Sequence, residues 1–164
     1  MTRIGLISDT HGYIEPKLFE FFENVDEIWH AGDMGGIEVP ERLQKFKPFR
    51  GVYGNIDDQT VRSEFPKNNR FKCENAEIWI THIGGYPGKY NKQVKPKLEQ
   101  NPPDLFIAGH SHILKIQYDK KLDLLHLNPG AIGNNGFHQV KTALRFSIDG
   151  NHFKDMEIFE LPRK

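Results

Sequence analysis

Short, continuous apolar runs alternate with stretches of helical period through the N-terminal part of the chain. The runs "RIGLIS" (3–8) and "VDEIWHAG" (25–32) are rich in isoleucine, leucine, valine and tryptophan, the pattern of buried strands. The segments "EPKLFEFFENV" (15–25) and "GIEVPERLQKF" (36–46) space their apolar residues three and four apart, which predicts amphipathic helices. "PFRGVYGN" (48–55) reads as a third strand. Repeated strand, helix, strand units predict a parallel α/β sheet. From Phe71 onward the pattern shifts to strands: "FKCENAEIWITH", "DLFIAGH", "ILKIQYD", "LDLLHLN", "KTALRFSID" and "NHFKDMEIFEL". Asn75, "DKK" before Leu122 and "DGNH" after Ile148 supply hairpin turns, so a second, largely antiparallel sheet is expected. One helix is expected over roughly residues 91–100, ended by the two prolines of "NPPD". "GGYPGKYNK" (84–92) reads as an irregular loop near the functional end.

Composition narrows the classes. With 164 residues and no linker or repeat, a single domain over residues 1–164 is expected. Lysine plus arginine (22) balances aspartate plus glutamate (22), so no net positive field gathers nucleic acid or anionic lipid. An anionic ligand must be held by a local site. Charges interrupt every apolar run, which predicts neither a membrane span nor a signal peptide. The lone cysteine, Cys73, allows no internal disulfide, and a cytoplasmic location is the expectation.

The strand-like runs share one feature at their ends. "GLISDTH" stops on Asp9 and His11, "IWHAGD" on Asp33, "VYGNID" on Asn55, "IWITH" on His82, and "LFIAGHSH" on His110 and His112. Each ending supplies nitrogen or oxygen donors, often beside a glycine that lets the backbone turn tightly. The carboxyl ends of parallel strands meet at one edge of an α/β sheet, so seven potential ligands should converge on one crevice. Carboxylate, amide and imidazole donors without thiolate suit two divalent cations, with manganese first and iron, zinc or nickel as alternatives. Such a pair can bind phosphoryl oxygens and offset charge developing in an in-line displacement.

The motifs DxH, GD, GNxD, H and GHxH, in this order, closely resemble those of the calcineurin-like metallophosphoesterases. The resemblance is to their small single-domain branch, the YfcE-type phosphodiesterases, and it runs from about residue 4 to 133, including "NPGAIG". It implies a four-layer α/β/β/α sandwich of two mixed sheets flanked by helices, and a two-metal phosphohydrolase that prefers phosphodiesters. In such an enzyme a hydroxide held between the metals attacks phosphorus. Carried over by motif, Asp9, His11 and His112 would hold one metal and Asn55, His82 and His110 the other, with Asp33 bridging. Asn55, His82 and His110 would also stabilise charge in the reaction. Two departures stand out: Ile56 occupies the position where many larger members place a histidine that protonates the leaving group, and "THIGGYPGKY" replaces a compact turn after His82. Without a proton donor at Ile56, esters with acidic leaving groups should react best.

Other residues fall around this set. His30, inside an apolar strand, and Asp57, beside Asn55, are expected to brace ligands rather than bind metal. Tyr86, Lys89 and Tyr90 in the irregular loop are candidate substrate contacts. His126, His138 and His152 lie outside the motifs and are expected to be structural. The expected ligand is a small phosphate ester, with neither nucleic acid nor membrane as partner, and exposed sheet edges would allow a homodimer. The alternatives are a phosphomonoesterase, or a non-catalytic metal-binding interaction scaffold like Vps29, since fold alone does not fix function.

Overall fold

The computed structural model describes residues 1–163. Its first sheet contains β1 (Thr2–Ile7), β2 (Glu27–His30), β3 (Phe49–Gly51), β11 (Val140–Asp149) and β12 (His152–Pro162), in the order β12-β11-β1-β2-β3. The second contains β4 (Asn68–Cys73), β5 (Ala76–Thr81), β8 (Leu105–Ile107), β9 (Leu114–Asp119) and β10 (Leu124–Pro129), in the order β4-β5-β8-β10-β9. Ile4, Leu6 and Trp29 of the first sheet and Ile78, Ile80, Leu105 and Ile107 of the second fill the layer between them. Removing this apolar surface from water at about 25 cal/mol per Å² is what holds the sheets face to face.

Helices cover both outer faces. On the first sheet, α1 (Leu18–Phe21), α2 (Glu38–Phe46) and α3 (Gln59–Glu64) bury Leu18, Leu43 and Val61 against Ile7 and Ile28. On the second, α4 (Lys95–Gln100) buries Leu98 against Trp79, Phe106 and Leu124. The result is an α/β/β/α sandwich.

The structure corrects four readings of the pattern. "KTALRFSID" and "NHFKDMEIFEL" belong to the first sheet, where β11 pairs antiparallel with β1, Ile4 opposite Phe146. The second sheet is mixed rather than largely antiparallel. Its three central strands β5, β8 and β10 run parallel, because α4 carries the chain back over the sheet between β5 and β8. The expected helix over 15–25 is helical only at Leu18–Phe21, its flanks closing as turns. The segment expected to be irregular forms a small hairpin, β6 (Gly85–Tyr86) with β7 (Lys89–Tyr90), turning at Pro87 and Gly88. No helix among the described residues is long and apolar enough to cross a membrane.

Strands β1, β2, β3, β5 and β8 all end at one edge. Each is followed there by one of the polar endings noted in the sequence.

Candidate metal centre

The loops at this edge are stitched to one another by their backbones. The N–H of Asp9 donates to Gly32 O (3.0 Å), that of His11 to Asp33 O (3.1 Å), and that of Gly109 to His82 O (2.9 Å). The crowding demands unusual backbone. Asp9 (φ 56°), His11 (49°), Asp33 (59°), His110 (71°) and His112 (64°) all adopt the left-handed conformation. For non-glycine residues this costs on the order of 1 kcal/mol or more each, and it clusters at functional sites. Close approach also fixes two glycines: a Cβ on Gly54 would overlap the Asp33 carboxylate, and one on Gly32, itself at φ 103°, would overlap the His82 ring.

The side chains form two adjoining groups. Asp9, His11 and His112 bring one donor atom each within 4.8 Å of one another, and so do Asp33, His82 and His110. Asp9 Oδ2 is engaged by the Ser8 hydroxyl (2.6 Å) and the His110 N–H (3.2 Å), which turns Oδ1 inward. There it faces Nε2 of His112 at 3.2 Å, of His11 at 3.5 Å and of His82 at 3.8 Å. Asp33 divides likewise: Oδ1 accepts the Ile56 N–H (3.0 Å), and Oδ2 faces Nε2 of His82 at 3.1 Å and of His11 at 3.5 Å. His11 thus lies equally far from both carboxylates. The seventh candidate, Asn55, joins through its Oδ1, 3.1 Å from His110 Nδ1.

Asp9 Oδ1, His11 Nε2 and His82 Nε2 are buried and make no hydrogen bond. Orphaned buried polar atoms are costly, and such atoms turned toward one another are what cations between them would satisfy. The donor set therefore fits divalent metal. The family model of the calcineurin-like phosphoesterase superfamily domain matches residues 2–151. The chain belongs to that superfamily.

Individual relatives agree with the assignment. The chain is 31% identical to a probable metallophosphoesterase of Methanothermobacter thermautotrophicus over 133 residues, 78% of this chain and 76% of that protein. Its fold matches a structure described as a novel archaeal phosphodiesterase, with a TM-score of 0.72, 20% identity, and coverage of 96% of this chain and 99% of that one. It equally matches zinc-complexed Vps29 of Entamoeba histolytica, with a TM-score of 0.72, 16% identity and 99% of each chain covered.

Around the two groups, further residues of the calcineurin-like domain fix which nitrogen of each histidine is free. His82 Nδ1–H donates to Ala31 O (2.7 Å), so Nε2 carries the lone pair of the neutral ring. His110 Nδ1 is occupied by Asn55. His112 Nδ1 meets Nδ1 of His138 (3.2 Å), whose Nε2–H donates to Gly133 O (2.8 Å). That last bond makes His138 Nδ1 the acceptor and leaves His112 Nε2 facing Asp9 with its lone pair. His138 was expected to be structural and instead abuts a candidate ligand; 26 positions separate the two, and no motif links them.

His30 and Asp57 brace from behind. His30 is fully buried with both nitrogens used, Nδ1 accepting from Gly32 N–H (3.0 Å) and Nε2 meeting Thr10 Oγ1 (3.0 Å). Burial pushes its pKa down to about 4, so it is neutral. The Asp57 carboxylate receives the N–H groups of Gly54 (2.7 Å), Gly35 (2.9 Å) and Met34 (3.2 Å), clamping the loops after β2 and β3 together.

Charge in the centre is strongly coupled. Burial opposes ionisation of Asp9 and Asp33, but the facing histidines outweigh it and hold both carboxyls well below their usual range. Asp33 and Asp9 raise His11 to about 9. For His82, burial favours the neutral ring, and the same two carboxylates overcome it and push the pKa up. His110 moves down, through burial and the neighbouring His82.

The three candidate substrate contacts separate. Tyr86 and Lys89 line a hollow of about 250 Å³ that also reaches His110. Tyr90 is not brought to it: its hydroxyl donates to Asp119 (2.6 Å) and its ring packs edge-on against Phe106.

Proposed function

We propose that this chain is a two-metal phosphohydrolase that acts on phosphodiesters in preference to monoesters. The observation that carries the reading is the trio of buried, unpartnered atoms, Asp9 Oδ1, His11 Nε2 and His82 Nε2, turned toward one another at the carboxyl edge. Asp9, His11 and His112 would hold one cation, Asn55, His82 and His110 the second, and Asp33, within reach of histidines from both groups, would serve both. The mixed imidazole, carboxylate and amide donors suit manganese, iron, zinc or nickel, and manganese is the metal to be tried first. When bound, such metals supply an activated water and positive charge for the phosphoryl oxygens. The chain's own groups orient and neutralise: Asn55 offers an amide donor to a phosphoryl oxygen, and His82 and His110, each held through Nδ1 by Ala31 or Asn55, would keep the other ring nitrogen for the second cation.

The preference for diesters rests on the resemblance to the small phosphodiesterase branch, and position 56 bears instead on the leaving group: without a proton donor there, esters with acidic leaving groups should react best. Ile56 presents an alkyl side chain, 45% exposed, where a proton donor would assist a poor leaving group. A non-catalytic scaffold that binds metal would satisfy the same orphaned donors, so turnover is what separates the two readings.

The test is hydrolysis of bis-p-nitrophenyl phosphate against p-nitrophenyl phosphate by manganese-loaded protein. The diester should be turned over faster, and Asp33→Asn should lower the rate by more than about 100-fold with an unchanged circular dichroism spectrum. Bound metal without turnover of either ester would overturn the reading.

A further inference from the structure

A second concavity opens beside the Asp33, His82 and His110 group. It has a volume of about 650 Å³ and shares Asn55 and His82 with the candidate centre. Four of its lining residues are cationic, Arg62, Lys67, Lys92 and Lys97, and no carboxylate lines it. None of the four forms an ion pair among the described residues. Arg62 is held in place without being neutralised: its guanidinium donates to the carbonyls of Asp57 (2.8 Å) and Asn55 (3.3 Å) and lies over the Tyr53 ring. In a chain whose 22 lysines and arginines are matched by 22 aspartates and glutamates, four of the cations line this one cleft.

Single-sign clefts concentrate counter-ions, and this volume is in the range that encloses a nucleotide-sized ligand. The cations lie next to the centre rather than within it, so they are placed for a group beyond the scissile phosphorus. Ile56 points to what that group is. A departing alcohol would need a proton, whereas a departing phosphoryl group, with a second pKa of about 6, needs none at neutral pH.

We propose that the Arg62, Lys67, Lys92 and Lys97 cleft binds a second phosphoryl group on the leaving side of the substrate. The preferred substrates are then small pyrophosphate-linked compounds of the nucleoside-diphosphate type. Water adds its oxygen to the scissile phosphorus, and the bond from that phosphorus to the bridging oxygen breaks. The electron pair stays on the departing phosphoryl group, which the cleft holds, and one proton passes to solvent. The chemistry rests on the phosphoesterase reading; the binding does not.

Lys92 and Lys97 are exposed and support no other element, so the double variant Lys92→Gln/Lys97→Gln tests the cleft without disturbing the loop that Arg62 braces. Titration calorimetry of metal-free protein with α,β-methylene-ADP, which cannot be cleaved, should show binding that the double variant weakens about tenfold or more. With manganese, a nucleoside-diphosphate sugar should be cleaved with a kcat/KM about tenfold or more above that of bis-p-nitrophenyl phosphate. The double variant should lose that advantage and keep its rate on the nitrophenyl diester. Binding of the analogue without turnover of any ester would preserve the subsite and remove the enzyme reading. Equal losses on both substrates, no effect of the double variant, or tighter binding of a single-stranded oligonucleotide than of the analogue would overturn the proposal.

Discussion

At the scale of single residues, the centre depends on atoms that never face it. His112 offers one nitrogen to the Asp9 side and rests the other on His138, and Gly133 O sets the direction of that chain. His138→Ala should therefore weaken metal binding about 10–100-fold by calorimetry while leaving the melting temperature of metal-free protein nearly unchanged. His138→Gln, which retains an acceptor, should recover part of the affinity. The seven candidate ligands were legible because each terminates an apolar run, so one pattern announced both the strand and its chemistry. His138 was not, because a hydrogen-bond partner chosen by folding has no local signature. His126 shows that the opposite reading can hold for a histidine outside the motifs: it is fully buried, Nδ1 lies 3.1 Å from Phe106 O, and burial pushes it down to about 4.

Among elements, what positions the ligands is the coupling of loops rather than the strands alone. Asp57 joins the turn after β2 to the turn after β3 through three backbone N–H groups. Asp57→Ala would leave those donors without their charged acceptor. It should lower stability by about 2–4 kcal/mol in denaturant unfolding, and Asp57→Asn, which keeps one acceptor oxygen, by less. The strands themselves were readable from uninterrupted apolar residues, and their partners were not. β11 is buried over nearly its whole length, and its apolar positions are equally compatible with either sheet. Helix α3 escaped notice because it buries only Val61; its one signal was Asp58, whose side chain caps the Val61 N–H at 3.1 Å. The hairpin of β6 and β7 was foreshadowed by Pro87-Gly88 between two tyrosine-bearing pairs, a turn signal too short to imply strands on its own.

For the whole molecule, the charges at the edge link stability to pH. His11 is raised from 6.5 to about 9 in the folded state, so its contribution is complete below 6.5 and is lost as pH rises through about 9; His82 acts in the same direction. Asp9 and Asp33 are lowered from 3.8, so their contribution is present above 3.8 and disappears as pH falls further. Buried His30 and His126, pushed from 6.5 down to about 4, act the other way: their neutral rings cost nothing above 6.5 and stability is lost as pH falls from 6.5 toward 4. Metal-free protein should accordingly melt highest near about pH 6.5 and lose stability both toward about pH 9 and toward about pH 4 in calorimetric scans. Metal binding must expel the protons of His11 and His82, so the increment in melting temperature on adding manganese should grow over the same rise in pH. Aspartate, asparagine and histidine are the non-glycine residues that tolerate left-handed conformation best, and they are also the residues that donate to metal. At Asp9, His11, Asp33, His110 and His112, stereochemistry and coordination select the same small alphabet. A descendant lineage released from catalysis would therefore drift there mainly among aspartate, asparagine, histidine and glycine, and would keep the look of a metal site long after losing its use.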